Sequence, residues 1–113
     1  MFIDDPTRLR HMLEAAREAI SFATGKTVDD LTRDRMFLLS LVKELEIVGE
    51  AASRISPETK AGINTIPWPK VVGMRNQLTH GYFEWDVERI WETVSSDLPE
   101  LVRALEAVMP PKA

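Results

Sequence analysis

RDRMFLLSLVKELEIVGEAAS, Arg33 to Ser53, is the longest unbroken run of helical character in the chain. Its apolar residues are Met36, Phe37, Leu38, Leu39, Leu41, Val42, Leu45, Ile47, Val48, Ala51 and Ala52. They are too many for one face, which predicts a helix at the centre of a bundle with surface to spare for a partner. The segments on either side follow the same period. Asp5-Pro6 reads as an N-cap followed by proline at the first helical position. Leu9, Met12, Leu13, Ala16, Ala19, Ile20 and Ala23 then form one stripe, and Gly25 stops it.

TVDDLT, from Thr27, reads as a short connector with Thr27 and Thr32 as candidate caps. Ser56-Pro57-Glu58 opens a short helix that Gly62 ends, and INTIPWPK is a proline-bounded loop. A further helix is predicted from Pro69 to Thr79, stopped at Gly81. The last begins near Asp86 and carries Ile90, Val94, Leu98, Leu101, Leu105 and Val108. Pro99 lies inside it and predicts a kink near Ser95, one turn back. The expected fold is all-α: an antiparallel bundle of four main helices plus short helical turns. Residues 1–109 form one domain and 110–113 a short tail.

A chain of 113 residues has room for a single core. It has no cysteine, which excludes disulfides, thiolate metal ligation and thiol catalysis, and is compatible with a cytoplasmic location. MFIDDPTRLR lacks the apolar run of a signal peptide, and no stretch is long enough to span a membrane. The net charge of −4 argues against indiscriminate coating of nucleic acid. If RNA is a substrate, the positive charge must be concentrated locally, or across a subunit boundary.

RNQLTHGY, Arg75 to Tyr82, holds the residues with chemistry to offer. Arg75 has the forked donors that match phosphate oxygens. The His80 imidazole belongs to the side-chain type that moves protons near neutral pH. Together they suit attack of a ribose 2′-hydroxyl on the adjacent phosphorus, with no metal. Five residues on one helix separate side chains by roughly 140°, so Arg75 and His80 do not converge within one chain. Asn76, four residues before His80, shares its face and can orient the imidazole or hold a ligand oxygen. The chain reversal at Gly81 is expected to return Tyr82 towards His80. The reaction needs both an acid and a base, so a second motif across a two-fold axis would complete the site. By spacing alone the run reads first as an ordinary helix end, where the macrodipole favours cations.

ELEIVGEAASRIS, IPWPKVVGMRNQLTHGYFEWD and IWETVSSDLPEL together resemble the HEPN superfamily, and within it the HepT-like toxins. Arg75, His80 and Tyr82 match the motif arginine, four residues, histidine, any residue, tyrosine; Asn76 is the polar residue after the arginine. The resemblance implies a dimeric helical bundle with its motifs facing, acting as a metal-independent endoribonuclease toxin of a type VII-like toxin–antitoxin system. It also implies a minimal nucleotidyltransferase antitoxin as partner, which adenylylates Tyr82. No cofactor is implied. The competing expectation is a non-catalytic helical interaction module that binds, and is modified by, such a partner.

Glu50 has two readings: a buried carboxylate orienting Arg75 or Arg54, or a member of a solvent-facing stripe with Lys43, Glu46 and Arg54. His11 reads as a surface residue. Trp68, Phe83, Trp85 and Trp91 read first as core or interface, with base stacking on Phe83 or Trp85 as a lesser alternative. Lys60, Lys70 and Arg54 are candidates for the border of an RNA cleft, or scattered surface charge.

Overall fold

Among the described residues, seven α-helices and one wide turn follow each other: α1 (Asp5–Ala23), α2 (Val28–Arg33), α3 (Arg35–Ser53), α4 (Pro57–Gly62), α5 (Trp68–His80), α6 (Val87–Glu92), a π-helical turn (Thr93–Asp97) and α7 (Leu98–Val108). The computed structural model describes residues 3–80 and 85–109, without the side chains of Asn76, Gln77, Thr79 and His80. Expectations for Tyr82, Phe83 and the tail lie outside the described residues.

Local chemistry sets the helix starts, and in two places it differs from the sequence reading. The cap of α1 is Asp4, whose Oδ1 accepts from the Thr7 amide at 2.9 Å. Asp5 is instead the first helical residue, and its carboxylate accepts from the Ser56 and Thr59 hydroxyls, each at 2.6 Å. TVDDLT is not a connector but the body of α2, because the Asp30 carboxylate returns to the Thr27 amide at 2.7 Å. The cap of α3 is Asp34 rather than Thr32: its side chain accepts from the Phe37 amide. Gly25, at φ 79, takes the left-handed conformation just past α1.

The expected break at Pro99 takes the form of the π-helical turn. Proline has no amide to donate back to Ser95 and its ring crowds that carbonyl. The Leu98 amide reaches five residues back, to the Thr93 carbonyl. The Ser95 hydroxyl donates to the Trp91 carbonyl at 2.7 Å within the same distortion.

The central helix is α3, packed against both α1 and α5. The pair α1–α3 is antiparallel: Asp5 at the start of α1 bonds just beyond the end of α3, and Glu18 lies beside Glu44. Met12, Leu41, Val48, Leu98 and Leu105 are among the fully buried side chains, so α1, α3 and α7 share one core. Trp68 anchors the opening of α5, its indole N–H shared by the Lys60 and Ile63 carbonyls at 3.1 and 3.0 Å. Spare apolar surface on α3 is real at its start, where Met36 is 82% and Leu39 42% exposed.

Candidate active site

The block Gly49-Glu50-Ala51-Ala52 and the residue Arg75 are brought together by one helix crossing. A methyl group on Gly49 would lie 2.6 Å from the Arg75 Cβ and 2.7 Å from its backbone nitrogen. Only glycine allows α3 and α5 to approach so closely. The approach sets Glu50, the next residue, beside the Arg75 side chain. Glu50 Oε2 accepts from Arg75 Nη1 at 2.6 Å, and its Oε1 from Arg54 Nε at 3.0 Å. The Ser53 hydroxyl stands 3.5 Å from the same Arg75 nitrogen.

One carboxylate thus holds two guanidinium groups. Hydrogen bonds first from Arg75 and then from Arg54 keep the Glu50 carboxyl below the usual carboxylate range. Glu50 contacts both Arg75 and Arg54, but it is not buried: its side chain is 44% exposed. The two sequence readings of Glu50 therefore both hold in part. It belongs to the outward stripe of α3, and that stripe forms part of a cleft.

The cleft, of about 510 Å³, runs along α3 between α1 and α5. Lys43, Glu46, Ile47, Glu50 and Ala51 line it from α3, Arg75 and Leu78 from α5, and Arg8 and His11 from α1. Trp85 completes the lining; its indole N–H donates to the Leu78 carbonyl at 3.1 Å, and the Arg35 guanidinium lies 5.7 Å from its ring centre. Permanent cations outnumber carboxylates here, in a chain whose net charge is −4. Arg8 also borders a second cavity of about 630 Å³, with Arg54, Ser56 and Thr59.

Of the residues singled out in the sequence, Arg75 and Glu50 are in direct contact at this cleft. α5 is described as far as His80; the side chains of His80 and Asn76, and Tyr82, lie outside the described residues. Lys60 and Lys70 do not border the cleft. The Lys60 ammonium sits 5.9 Å from the Trp68 ring centre, and Lys70 is paired with Asp97 at 3.1 Å. His11 is a surface residue that also lines the cleft. Arg8, His11 and Lys43 are the cleft residues that the sequence did not disclose. Spacing puts Arg8 and His11 on one face of α1, but only the packing of α1 on α3 turns that face towards Arg75.

Fold and cleft together define an all-α protein with a clamped arginine at a locally cationic groove, a site suited to phosphodiesters. The family model "Ribonuclease HepT-like" matches residues 12–108, and the chain belongs to that family. It is similar to "Putative RNase TTE0752" of Caldanaerobacter subterraneus, at 31% identity over 89% of this chain and 90% of that protein. "Putative RNase MJ1380" of Methanocaldococcus jannaschii is 31% identical over 88% of this chain and 92% of its own length. "Probable ribonuclease HepT" of Thermococcus cleftensis is 33% identical over 82% of this chain and 84% of its own. No solved structure matches significantly. Among the described residues no helix is long and apolar enough to cross a membrane.

Proposed function

We propose that this chain is a metal-independent endoribonuclease toxin of the HEPN type, working as a homodimer whose two Arg75–His80 motifs face each other. The observation that carries the reading is the Arg75 guanidinium, clamped by Glu50 at the wall of a cationic cleft in a member of a ribonuclease family. In this reading the 2′-hydroxyl of the substrate attacks the adjacent phosphorus and gives up its proton to one imidazole. The P–O5′ bond breaks and the leaving oxygen takes a proton from a second donor. The products are a 2′,3′-cyclic phosphate and a 5′-hydroxyl, and no water is consumed. Arg75 stabilises the negative charge that grows on the non-bridging oxygens, where a preoriented guanidinium is most effective. His80 of one protomer and His80 of the other supply acid and base, and Asn76 orients the imidazole.

The same reading includes control by a small nucleotidyltransferase antitoxin that adenylylates Tyr82. An AMP group there would set a phosphate and a base close to Arg75 and His80, competing with RNA for the same charges. Expression of the chain alone tests the catalytic part. Growth arrest with RNA fragments ending in cyclic phosphate is expected, and it should vanish in His80→Ala while folding and dimerisation persist. A fully toxic His80→Ala chain would refute the assignment. Harmless expression of the wild-type chain would favour the non-catalytic interaction module.

A further inference from the structure

The cations of the cleft are spread along α3 rather than gathered at one point. Lys43 lies towards one end and Arg75 is level with Glu50; Arg8 and Arg54 meet at the other end, where the second cavity begins. From Lys43 to Arg54 the helix rises about 16 Å. A stacked strand carries one phosphate per roughly 3.4 Å, so this length spans several phosphates. Among the described residues neither Arg8 nor Lys43 forms an ion pair within 4.0 Å. Asp5, the carboxylate beside Arg8, is engaged by Ser56 and Thr59. Glu50 is likewise matched by two guanidinium groups, which leaves Glu46 as the one cleft carboxylate without a salt bridge among the described residues.

We infer that the cleft is a track for a single RNA strand lying along α3, with Lys43 and Arg8 holding backbone phosphates on either side of the one at Arg75. The inference rests on the ribonuclease reading for the identity of the strand. His11, one turn from Arg8 on the same face, adds a donor for phosphate or ribose oxygens. Trp85 borders the track and can limit how the strand leaves it. Contacts of this kind carry no sequence information, so the track follows a single strand by its backbone and leaves base preference to other groups.

The test uses a short 2′-O-methyl RNA strand, which binds but lacks the attacking hydroxyl, and follows fluorescence anisotropy of the full chain as salt is raised. Arg8→Ala combined with Lys43→Ala should lower the slope of log Kd against log salt by about 1.4, since each lost phosphate contact removes about 0.7 for a single strand. Between about 50 and 200 mM salt that slope corresponds to a roughly sevenfold difference. The charge-preserving pair Arg8→Lys and Lys43→Arg should keep the wild-type slope, which a merely structural role would not require. Cleavage of the unmodified strand by the wild-type chain is measured alongside. An unchanged slope in a chain that cleaves overturns the track and leaves the ribonuclease reading standing. Loss of slope in a chain that does not cleave supports the track and refutes catalysis. A wild-type chain that binds no strand, or variants that lose only modification by the nucleotidyltransferase, overturn the track.

Discussion

Gly49 and Arg75 meet backbone to backbone, with no room between them for a single methyl group. The contact fixes where α3 crosses α5, and so fixes the Glu50–Arg75 pair one residue along. Gly49→Ala should force the two helices apart. A loss of about 1–3 kcal/mol of stability is expected, the usual cost of overpacking, and denaturant unfolding would measure it. Ribonuclease activity should fall further than stability accounts for, because Arg75 moves with its helix. A Gly49→Ala chain with wild-type midpoint and activity would show that the crossing tolerates what its geometry forbids.

Glu50→Gln separates orientation from folding. The pair it breaks is half exposed, so stability should change by no more than about 1 kcal/mol. Cleavage should drop by something on the order of 10-fold to 100-fold, the scale of losing a positioned catalytic group. The loss should appear in kcat rather than in KM. A variant weakened only in KM would mean that Glu50 serves binding instead.

Glu44 makes stability depend on pH. It is 5% exposed, and its Oε2 has no hydrogen-bond partner among the described residues. Burial, and then the neighbouring Glu18 carboxylate by hydrogen bond and by charge, raise its pKa from 4.5 to about 7. The folded state therefore holds this proton over a range where the unfolded chain has released it. Stability should be greatest at or below pH 4.5 as far as this group is concerned, and should decline as the pH rises to about 7. The full decline is on the order of 3 kcal/mol. Glu44→Gln should flatten that slope and raise the melting temperature at pH 8. A Glu44→Gln chain less stable than wild type at pH 8 would show that the ionised carboxylate is better satisfied than its surroundings indicate.

Tyr82 is checked by intact mass after coexpression with the nucleotidyltransferase. The wild-type chain should gain whole AMP units and the Tyr82→Phe chain none. AMP on the phenylalanine variant would place the modification elsewhere.

Periodicity made the helices legible, but not the tertiary choices between like residues. Asp4 and Asp5 are equivalent caps in the sequence; what separates them is a pair of hydroxyls, Ser56 and Thr59, brought up by the turn after α3. The start of α2 was readable: Thr27 with Asp30 three residues on has the spacing of a reciprocal cap. The run of polar residues hid it. At the site, Glu50 could be nominated from sequence as a carboxylate for Arg75 or Arg54, since it is a charged residue on an otherwise apolar helix. Arg8 and Lys43 could not, because their relation to Arg75 exists only once three helices are packed.

Pro99 announced a kink, yet its more durable effect lies in how α6 and α7 share one core. A turn closed over five residues takes up more chain than an ordinary α turn, so positions four apart return almost to the same direction. Ile90, Val94 and Leu98, spaced by four, are all buried across the π-helical turn, and Leu101 and Leu105 carry the burial on into α7. The extra residue acts as a phase shifter between two apolar stripes. Because the wide turn takes up one residue more than an α turn, deleting one residue between Thr93 and Asp97 should let regular α winding resume with Leu101 and Leu105 still facing the core, whereas straightening the turn with that residue kept would rotate α7 by about 100°.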